Sequence, residues 1–144
     1  MIVRATCTDA AIVAELAVQM WTSHSVQEMA QEFEHLLARE DCAVFVALDA
    51  GIPIGFAQCQ LRRDYVEGTD SSPVGYLEGI YVDKNHRRGG VAKGLLAACE
   101  AWAKEMGCSE FASDCELRNE ESLRFHLALG FAEANRIICF AKKL

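Results

Sequence analysis

The chain has 144 residues, of which 51% are hydrophobic and 24% charged, a length and balance typical of a globular protein with one core. We therefore predict a single domain spanning residues 1–144. Its formal net charge of −7, from 14 basic and 21 acidic residues, argues against nucleic acid and membrane surfaces as partners and favours cationic ligands.

The seven cysteines are odd in number, scattered, and form no C-x-x-C pair, which predicts small buried side chains in a reducing compartment. Because this spacing does not suit zinc, we expect no metal. No apolar run approaches the roughly 20 residues of a membrane span, and the N-terminus lacks the pattern of a signal peptide. These observations predict a cytoplasmic protein.

The first third of the chain predicts a short strand and two helices. Residues 2–4 are suited to a first strand. Thr8 or Asp9 can cap a helix whose apolar residues recur at helical spacing. A second helix starts near Ser25, and Glu28 three residues later completes a capping box.

A pair of strands follows, at residues 43–48 and 54–61. Residues 49–51, Asp-Ala-Gly, are a turn signal that predicts a hairpin between them. Residues 62–73 are polar and predict a loop.

The remaining elements alternate between strand and helix and end in a strand or hairpin, at residues 76–82, 90–106, 110–114, 121–129 and 131–141. Gly130 occupies the position where a glycine commonly ends a helix. Because helices and strands interleave, the fold class is a mixed α/β or α+β domain built on one sheet.

A basic, glycine-rich turn separates strand 76–82 from the helix that follows it. Residues 87–94 read Arg-Arg-Gly-Gly-Val-Ala-Lys-Gly. The first N–H groups of a helix have no intrahelical acceptor, and glycines let a ligand approach the backbone, so this turn suits a phosphate group. A basic surface turn is the ordinary alternative. The glycine spacing excludes both the dinucleotide fingerprint and the P-loop.

The spacing Arg87-x-x-Gly90-x-Ala92 resembles the acyl-CoA pyrophosphate loop of the GCN5-related N-acetyltransferases, the GNAT superfamily. A second stretch is similar to the C-terminal CoA motif of that family, although its histidine stands where a tyrosine is common. The residues of this stretch are Asn119, Ser122, Phe125, His126, Gly130 and Phe131.

The middle of the chain resembles the aminoglycoside 6′-N-acetyltransferases within that superfamily. The resemblance lies in residues 63–68, 70–74 and 77–80, and it is more specific than the general CoA loop. Further similar segments contain Trp21 with His24, and Ala112-Ser113-Asp114. Together these patches span nearly the whole chain.

The resemblance implies a GNAT fold, a central mixed and mostly antiparallel sheet splayed between strands 4 and 5 and flanked by about four helices. Acetyl-CoA, the cosubstrate, would lie in the V between these strands. The residues that would bind it are Ile80, Tyr81, Val82, Arg87, Arg88, Gly89, Gly90, Val91, Ala92, Lys93 and Asn119. The subfamily is commonly dimeric, and the final strand is suited to pairing across a two-fold axis in a homodimer.

Acetylation of an amine needs a neutral nucleophile, a polarised thioester carbonyl and a proton for the departing thiolate. The resemblance places Glu78 beside the 6′-amine, where it would bind the ammonium and take its proton through water. His126 stands in the usual tyrosine position and is able to donate a proton. A solvent-facing strand carboxylate and a surface histidine are their ordinary alternatives.

Aminoglycosides are polycationic polyols, which carboxylates bind by charge and aromatic faces bind by packing. The acceptor pocket implied by the resemblance contains Trp21, His24, Tyr65, Glu78 and Asp114. Asn135 departs from relatives that carry an acidic residue there, which would change the aminoglycosides accepted. Two alternatives remain from the residues: a GNAT enzyme acting on a polyamine or protein lysine, and a CoA-binding sensor without catalysis.

Overall fold

The computed structural model describes all 144 residues and is organised around a five-stranded sheet in the order β1-β2-β3-β4-β5. The strands are β1 (Ile2–Arg4), β2 (Cys42–Asp49), β3 (Ile52–Arg62), β4 (Val74–Val82) and β5 (Phe111–Ser113). The first four pair antiparallel and β5 runs parallel to β4. The predicted fold class, a mixed and mostly antiparallel sheet, is confirmed.

Four helices accompany the sheet, together with 3₁₀ turns at Cys7–Asp9 and Lys84–His86. They are α1 (Ala10–Ala17), α2 (Val26–Leu37), α3 (Val91–Glu105) and α4 (Glu120–Ala128). None of these helices is long and apolar enough to cross a lipid bilayer.

One face of the sheet packs against α1 and α2. Phe33 of α2 meets Phe56 of β3 edge-on, with ring centroids 6.0 Å apart, and both side chains are fully buried with Val13 of α1. The predicted capping box starts α2 and is confirmed, because the Glu28 amide donates to Ser25 Oγ (3.1 Å) and the Ser25 amide to Glu28 Oε2 (3.0 Å). The cap and the apolar stripe together set α2 against this face.

The opposite face packs against α3, whose apolar side chains form one core with those of β2, β3 and β4. Leu95, Cys99 and Trp102 recur at helical spacing and are buried in this core. This packing holds the first turn of α3 close to the end of β4.

The β2–β3 hairpin turns through Ala50 and Gly51, because Asp49 pairs directly with Ile52. Both turn residues have positive φ, +47° and +82°, as a type I′ turn requires. The predicted hairpin is therefore confirmed. Strand β3 continues to Arg62, one residue beyond the predicted end of the strand.

Strands β4 and β5 separate after a short stretch of pairing. Gly75, Tyr76 and Leu77 pair with Phe111 to Ser113, and no strand lies beside β4 on that side beyond this point. The register of β4 with β3 also shifts, since Cys59 pairs with Leu77 and Gln58 with Gly79. Glu78 is thus the extra residue of a β-bulge, at the point where the sheet opens into a V.

The predicted strand or hairpin at 131–141 is wrong for the single chain. Residues 131–144 contain no strand, and Ile137, Ile138 and Phe140 are 61%, 77% and 92% exposed. A strand needs a neighbour to accept its backbone hydrogen bonds, and no strand of this chain lies beside the tail. The apolar pattern of this segment is therefore not matched by a partner within the molecule.

Candidate active site

The first turn of α3 presents backbone amides at the open end of the V. Gly90 precedes the helix in the left-handed conformation, with φ +82°, and Arg88 also has a positive φ of +66°. The first intrahelical bond runs from the Gly94 amide to Gly90 O (3.0 Å), so the amides of residues 91–93 come before it. These amides, with the positive end of the helix dipole, suit a pyrophosphate.

Arg87 ties this turn to the end of β4. Its Nε donates to Val82 O (2.9 Å), and its Nη1 lies 3.9 Å from Glu121 Oε1 at the start of α4. The guanidinium therefore fixes the position of the turn, while the neighbouring Arg88 and Lys93 side chains are exposed. Their charges are free to meet an anion at the helix start.

The edge of β4 beyond the bulge carries backbone groups with no strand opposite. The Asp83 amide donates to Ile54 O on the β3 side (2.8 Å). Because successive amides of a strand point to alternate edges, the amides of Val82 and Ile80 face the open side. They form a row of donors that leads from the turn of α3 toward Glu78.

Glu78 is held by Arg62, a residue that the sequence analysis assigned only to a loop. Arg62 Nε donates to Glu78 Oε1 (3.1 Å), and its Nη2 donates to Oε1 (2.8 Å) and Oε2 (3.1 Å). The Glu78 side chain is 21% exposed. It is therefore neither a buried core group nor a solvent-facing strand carboxylate, but one end of a partly exposed ion pair.

Tyr76 connects this pair to Asp114. The Arg62 guanidinium lies 3.4 Å from the centroid of the Tyr76 ring, and the Tyr76 hydroxyl donates to Asp114 Oδ2. Burial, and then this hydrogen bond, raises the pKa of Tyr76, so the hydroxyl keeps its proton. Tyr76 was not predicted as a site residue, and its position two residues before Glu78, on the same face of the strand, was the one signal for it.

Trp21 packs beside the bulge because β4 has a glycine there. A Cβ on Gly79 would lie 2.8 Å from the Trp21 ring, and this ring also meets Phe56 edge-on at 6.1 Å. His24 follows in the loop before α2, 46% exposed, with Nδ1 3.8 Å from Glu28 Oε2. Trp21 therefore flanks the strand at Glu78, whereas His24 faces solvent.

Tyr65 and Asn135 meet through Glu67. The Tyr65 hydroxyl donates to Glu67 Oε2 (3.0 Å), and Asn135 Nδ2 donates to Glu67 Oε1 (2.9 Å). The Asn135 bond first, and the Tyr65 bond second, lowers the pKa of Glu67, while Glu67 raises the pKa of Tyr65. No hydrogen bond joins this exposed group to Glu78 or Asp114.

His126 lies on α4 against the end of β5. Its Nδ1 is 2.7 Å from Ser122 O, and a carbonyl only accepts, so Nδ1 carries a proton. In the neutral ring Nε2 then accepts from Ser113 Oγ, 2.8 Å away. Ser113 pairs with Leu77 at the point where the strands separate. Hydrogen bonds to both ring nitrogens therefore fix the His126 side chain at the V, and it is not a free surface residue.

Asn119 caps α4, because the Ser122 amide donates to its Oδ1 (3.1 Å). Its Nδ2 is left for another acceptor. The structure thus brings the α3 turn, the β4 edge, Glu78 and the Ser113–His126 pair to the mouth of one V. Trp21 and Asp114 border it, while Tyr65, His24 and Asn135 lie in the surrounding loops.

The chain belongs to the GNAT acetyltransferases, because residues 10–131 match the Acetyltransferase (GNAT) family model. The aminoglycoside N(6′)-acetyltransferase type 1 of Serratia marcescens is 44% identical over 131 residues, which are 90% of this chain and 89% of that protein. The enzyme of the same name from Stenotrophomonas maltophilia is 42% identical over 142 residues, 98% of this chain and 92% of its own length.

A solved structure agrees with the fold. The structure of AAC(6′)-Iy in complex with the bisubstrate analog CoA-S-monomethyl-acetylneamine is 40% identical, with a TM-score of 0.95 over 100% of this chain and 98% of that one.

Proposed function

We propose that this chain is an aminoglycoside 6′-N-acetyltransferase, which transfers the acetyl group of acetyl-CoA directly to the 6′-amine and so gives resistance. The observation that carries this proposal is the pair of carboxylates, Glu78 and Asp114, linked beside the open edge of β4. Carboxylates at that place suit a cationic acceptor next to a thioester. The similarity to two enzymes of that name supports the same acceptor.

The groups at the V fit acetyl-CoA as the cosubstrate. The amides at the start of α3 and the charges of Arg88 and Lys93 would hold the pyrophosphate. The open amides of Ile80 and Val82 would bind the pantetheine arm and the acetyl carbonyl, as an oxyanion hole does. Asn119 Nδ2 would donate to the pantetheine arm.

Glu78 would act on the acceptor nitrogen. At neutral pH the alkylamine is mostly an ammonium ion, which the carboxylate binds by charge. Loss of one proton to Glu78, directly or through water, leaves the nitrogen lone pair free to attack the acetyl carbon. The new C–N bond forms, the C–S bond breaks as the nitrogen loses its second proton to solvent water, and the sulfur leaves as a thiolate.

The thiolate needs a proton, and we propose that it comes from the Ser113–His126 pair. Ser113 Oγ–H would protonate the sulfur while a protonated His126 ring returns a proton to Oγ through Nε2. His126 Nδ1–H remains on the Ser122 carbonyl throughout, which keeps the ring oriented. His126 thus acts through Ser113, since both of its nitrogens already have partners.

Trp21, Tyr65 and Asp114 would contact the sugar rings and remaining ammonium groups of the acceptor. Trp21 offers an aromatic face beside Glu78, and Tyr65 is 80% exposed in the loop between β3 and β4, where it shares Glu67 as a hydrogen-bond partner with Asn135. His24, at the end of the same loop as Trp21, would form the outer wall. An acceptor bound there buries few apolar atoms, so charge provides much of its affinity.

We propose further that residues 1–144 act as one domain and that two copies form a homodimer in the cytoplasm. Ile137, Ile138 and Phe140 of the tail are exposed with no strand beside them, and β5 has an unpaired edge. Pairing the tail of one copy with the sheet of the other would satisfy both. The prediction of buried cysteines holds for Cys42, Cys59, Cys99 and Cys108, whereas Cys7, Cys115 and Cys139 are exposed.

Thiol release from acetyl-CoA by the wild-type protein tests the function. The acceptors are an aminoglycoside with a 6′-amine, a matched one with a 6′-hydroxyl, spermidine and a lysine peptide. We expect turnover only with the aminoglycoside that has a 6′-amine, and NMR of the product should place the acetyl group on N6′. A higher kcat/KM with spermidine or the peptide would reassign the acceptor, and no turnover with any would leave a CoA-binding sensor.

A further inference from the structure

Arg62 and Glu78 meet in a geometry that restricts how any further group can reach the carboxylate. A carboxylate offers about four lone-pair positions, two on each oxygen. Arg62 Nε and Nη2 both donate to Oε1, at 3.1 and 2.8 Å, and Nη2 also donates to Oε2, at 3.1 Å. Arg62 therefore covers one edge of the carboxylate, and Oε2, which it contacts once, is the less occupied oxygen for an incoming donor.

Arg62 is itself held in place. It ends β3 opposite Val74, and its side chain runs along β4 over the Tyr76 ring to reach Glu78. The hydrogen bond from Tyr76 to Asp114 fixes the ring beneath it. A guanidinium that is stacked on an aromatic face and forked onto a carboxylate has few other rotamers.

We propose that Arg62 is a positioning residue for acetyl transfer, which directs the acceptor ammonium to Glu78 Oε2 on the side of the carboxylate away from the guanidinium. This inference rests on the proposed function. The ammonium then binds to the Arg62–Glu78 pair and does not displace Arg62. Arg62 also cancels the charge of Glu78, so it weakens the binding of a cation while it sets the direction of approach.

The two effects of Arg62 give its removal a distinctive signature. Without Arg62 the carboxylate is more negative and free to rotate. The acceptor then binds as well or better, but in orientations that do not lead to reaction. We expect kcat to fall and the acceptor KM not to rise, which is the opposite of losing a binding carboxylate.

Steady-state kinetics of Arg62→Met, Arg62→Lys and the matched Arg63→Met test this. Arg63 is exposed and its side chain makes no hydrogen bond in the structure, so its variant loses the same charge one residue further on. We expect Arg62→Met to lower kcat roughly 10- to 100-fold, the effect of a reactant misplaced by about 1 Å. The acceptor KM should stay equal or fall, and the acetyl-CoA KM should not change.

Arg62→Lys separates charge from geometry. Lysine keeps the charge and binds as a point donor, so the Tm of this variant should be closer to wild type than that of Arg62→Met, while little of kcat is recovered. Wild-type kcat in Arg62→Met, or full recovery by lysine, overturns the proposal. An equal loss of kcat in Arg63→Met also overturns it. A wild-type protein without aminoglycoside turnover would instead contradict the proposed function itself.

Discussion

Glu78 is the residue to which the proposed function gives both acceptor binding and proton transfer. The β-bulge removes Glu78 from the regular alternation of side chains along β4, and the hydrogen bonds from Arg62 orient its carboxylate. Asp114 has a different environment, since it accepts from the Tyr76 hydroxyl and is exposed. The two carboxylates therefore suit different roles, Glu78 on the reacting nitrogen and Asp114 on a neighbouring positive charge.

Replacing Glu78 by glutamine tests its part in proton transfer. Glu78→Gln keeps the shape but removes the negative charge and the basicity, so kcat should fall by about 10²–10⁴-fold, the usual contribution of a general base. The variant should need a more alkaline pH to reach its plateau, because it depends on amine that is already neutral. The measurement is kcat against pH at saturating acceptor. Wild-type kcat throughout would leave Glu78 a binding residue only.

Asn135 sets the charge of the outer loop through Glu67. The Asn135 and Tyr65 hydrogen bonds lower the pKa of Glu67, so this contact is present above the usual pKa of a glutamate and is lost as the pH falls through the lowered value. Asn135→Asp replaces the N–H donor with a like charge and should raise the Glu67 pKa. Asn135→Ala, which only removes the donor, should raise it less. Carboxyl ¹³C titration measures both, and three identical titrations would contradict the hydrogen bond.

Among the helices and strands, the candidate site lies where the ends of several of them come together. The end of β4, the start of α3, the end of β5 and one face of α4 converge at the V. The core on the α3 side holds these ends together, because Leu77, Val82 and Leu95 are packed in one buried cluster. The backbone at the junction is therefore rigid enough to present its amides in a fixed row.

The α3 turn is tested by substitution at Gly90. Gly90→Val places a β-branched residue at φ +82°, where nothing within 4 Å would clash with a Cβ, so the effect comes from the backbone. We expect acetyl-CoA binding, measured by calorimetry, to weaken by about 1–3 kcal/mol, the scale of lost hydrogen bonds to a charged group.

Gly107 supplies the control for that substitution. It has a similar φ of +91° and an equally open surrounding, but it lies at the far end of α3. Gly107→Val should lower the Tm about as much as Gly90→Val and leave acetyl-CoA affinity unchanged. Unchanged affinity in a folded Gly90 variant would remove the turn from the site.

For the whole molecule, the tail, residues 131–144, is the segment that contains no strand and exposes apolar side chains. Ile137, Ile138 and Phe140 are exposed one after another, beyond a helix that ends at Ala128. Exposed apolar segments of this kind are typical of surfaces that meet a partner. A second copy of the chain would supply the neighbour that the predicted last strand needs.

Sedimentation velocity tests the homodimer. We expect the wild type to sediment as a dimer and Ile138→Glu to shift toward monomer, because a charge in a paired apolar strand is costly to bury. Ile52→Glu is the matched control, since Ile52 is 65% exposed at the far hairpin and should leave the dimer intact. A monomeric wild type at micromolar concentration, or a dimeric Ile138 variant, would contradict the proposal.

Local features of the chain were predictable from the sequence by itself because their causes lie within a few residues. The Ser25 capping box, the Asp-Ala-Gly hairpin and the glycine-rich start of α3 each depend on hydrogen bonds or φ angles of adjacent residues. Only the tertiary structure decided that Arg62 holds Glu78, because their contact depends on strand register and a bulge across 16 residues. The prediction of a last strand was wrong because the hydrogen bonds of a strand require a neighbouring strand, and none lies beside residues 131–141 in this chain.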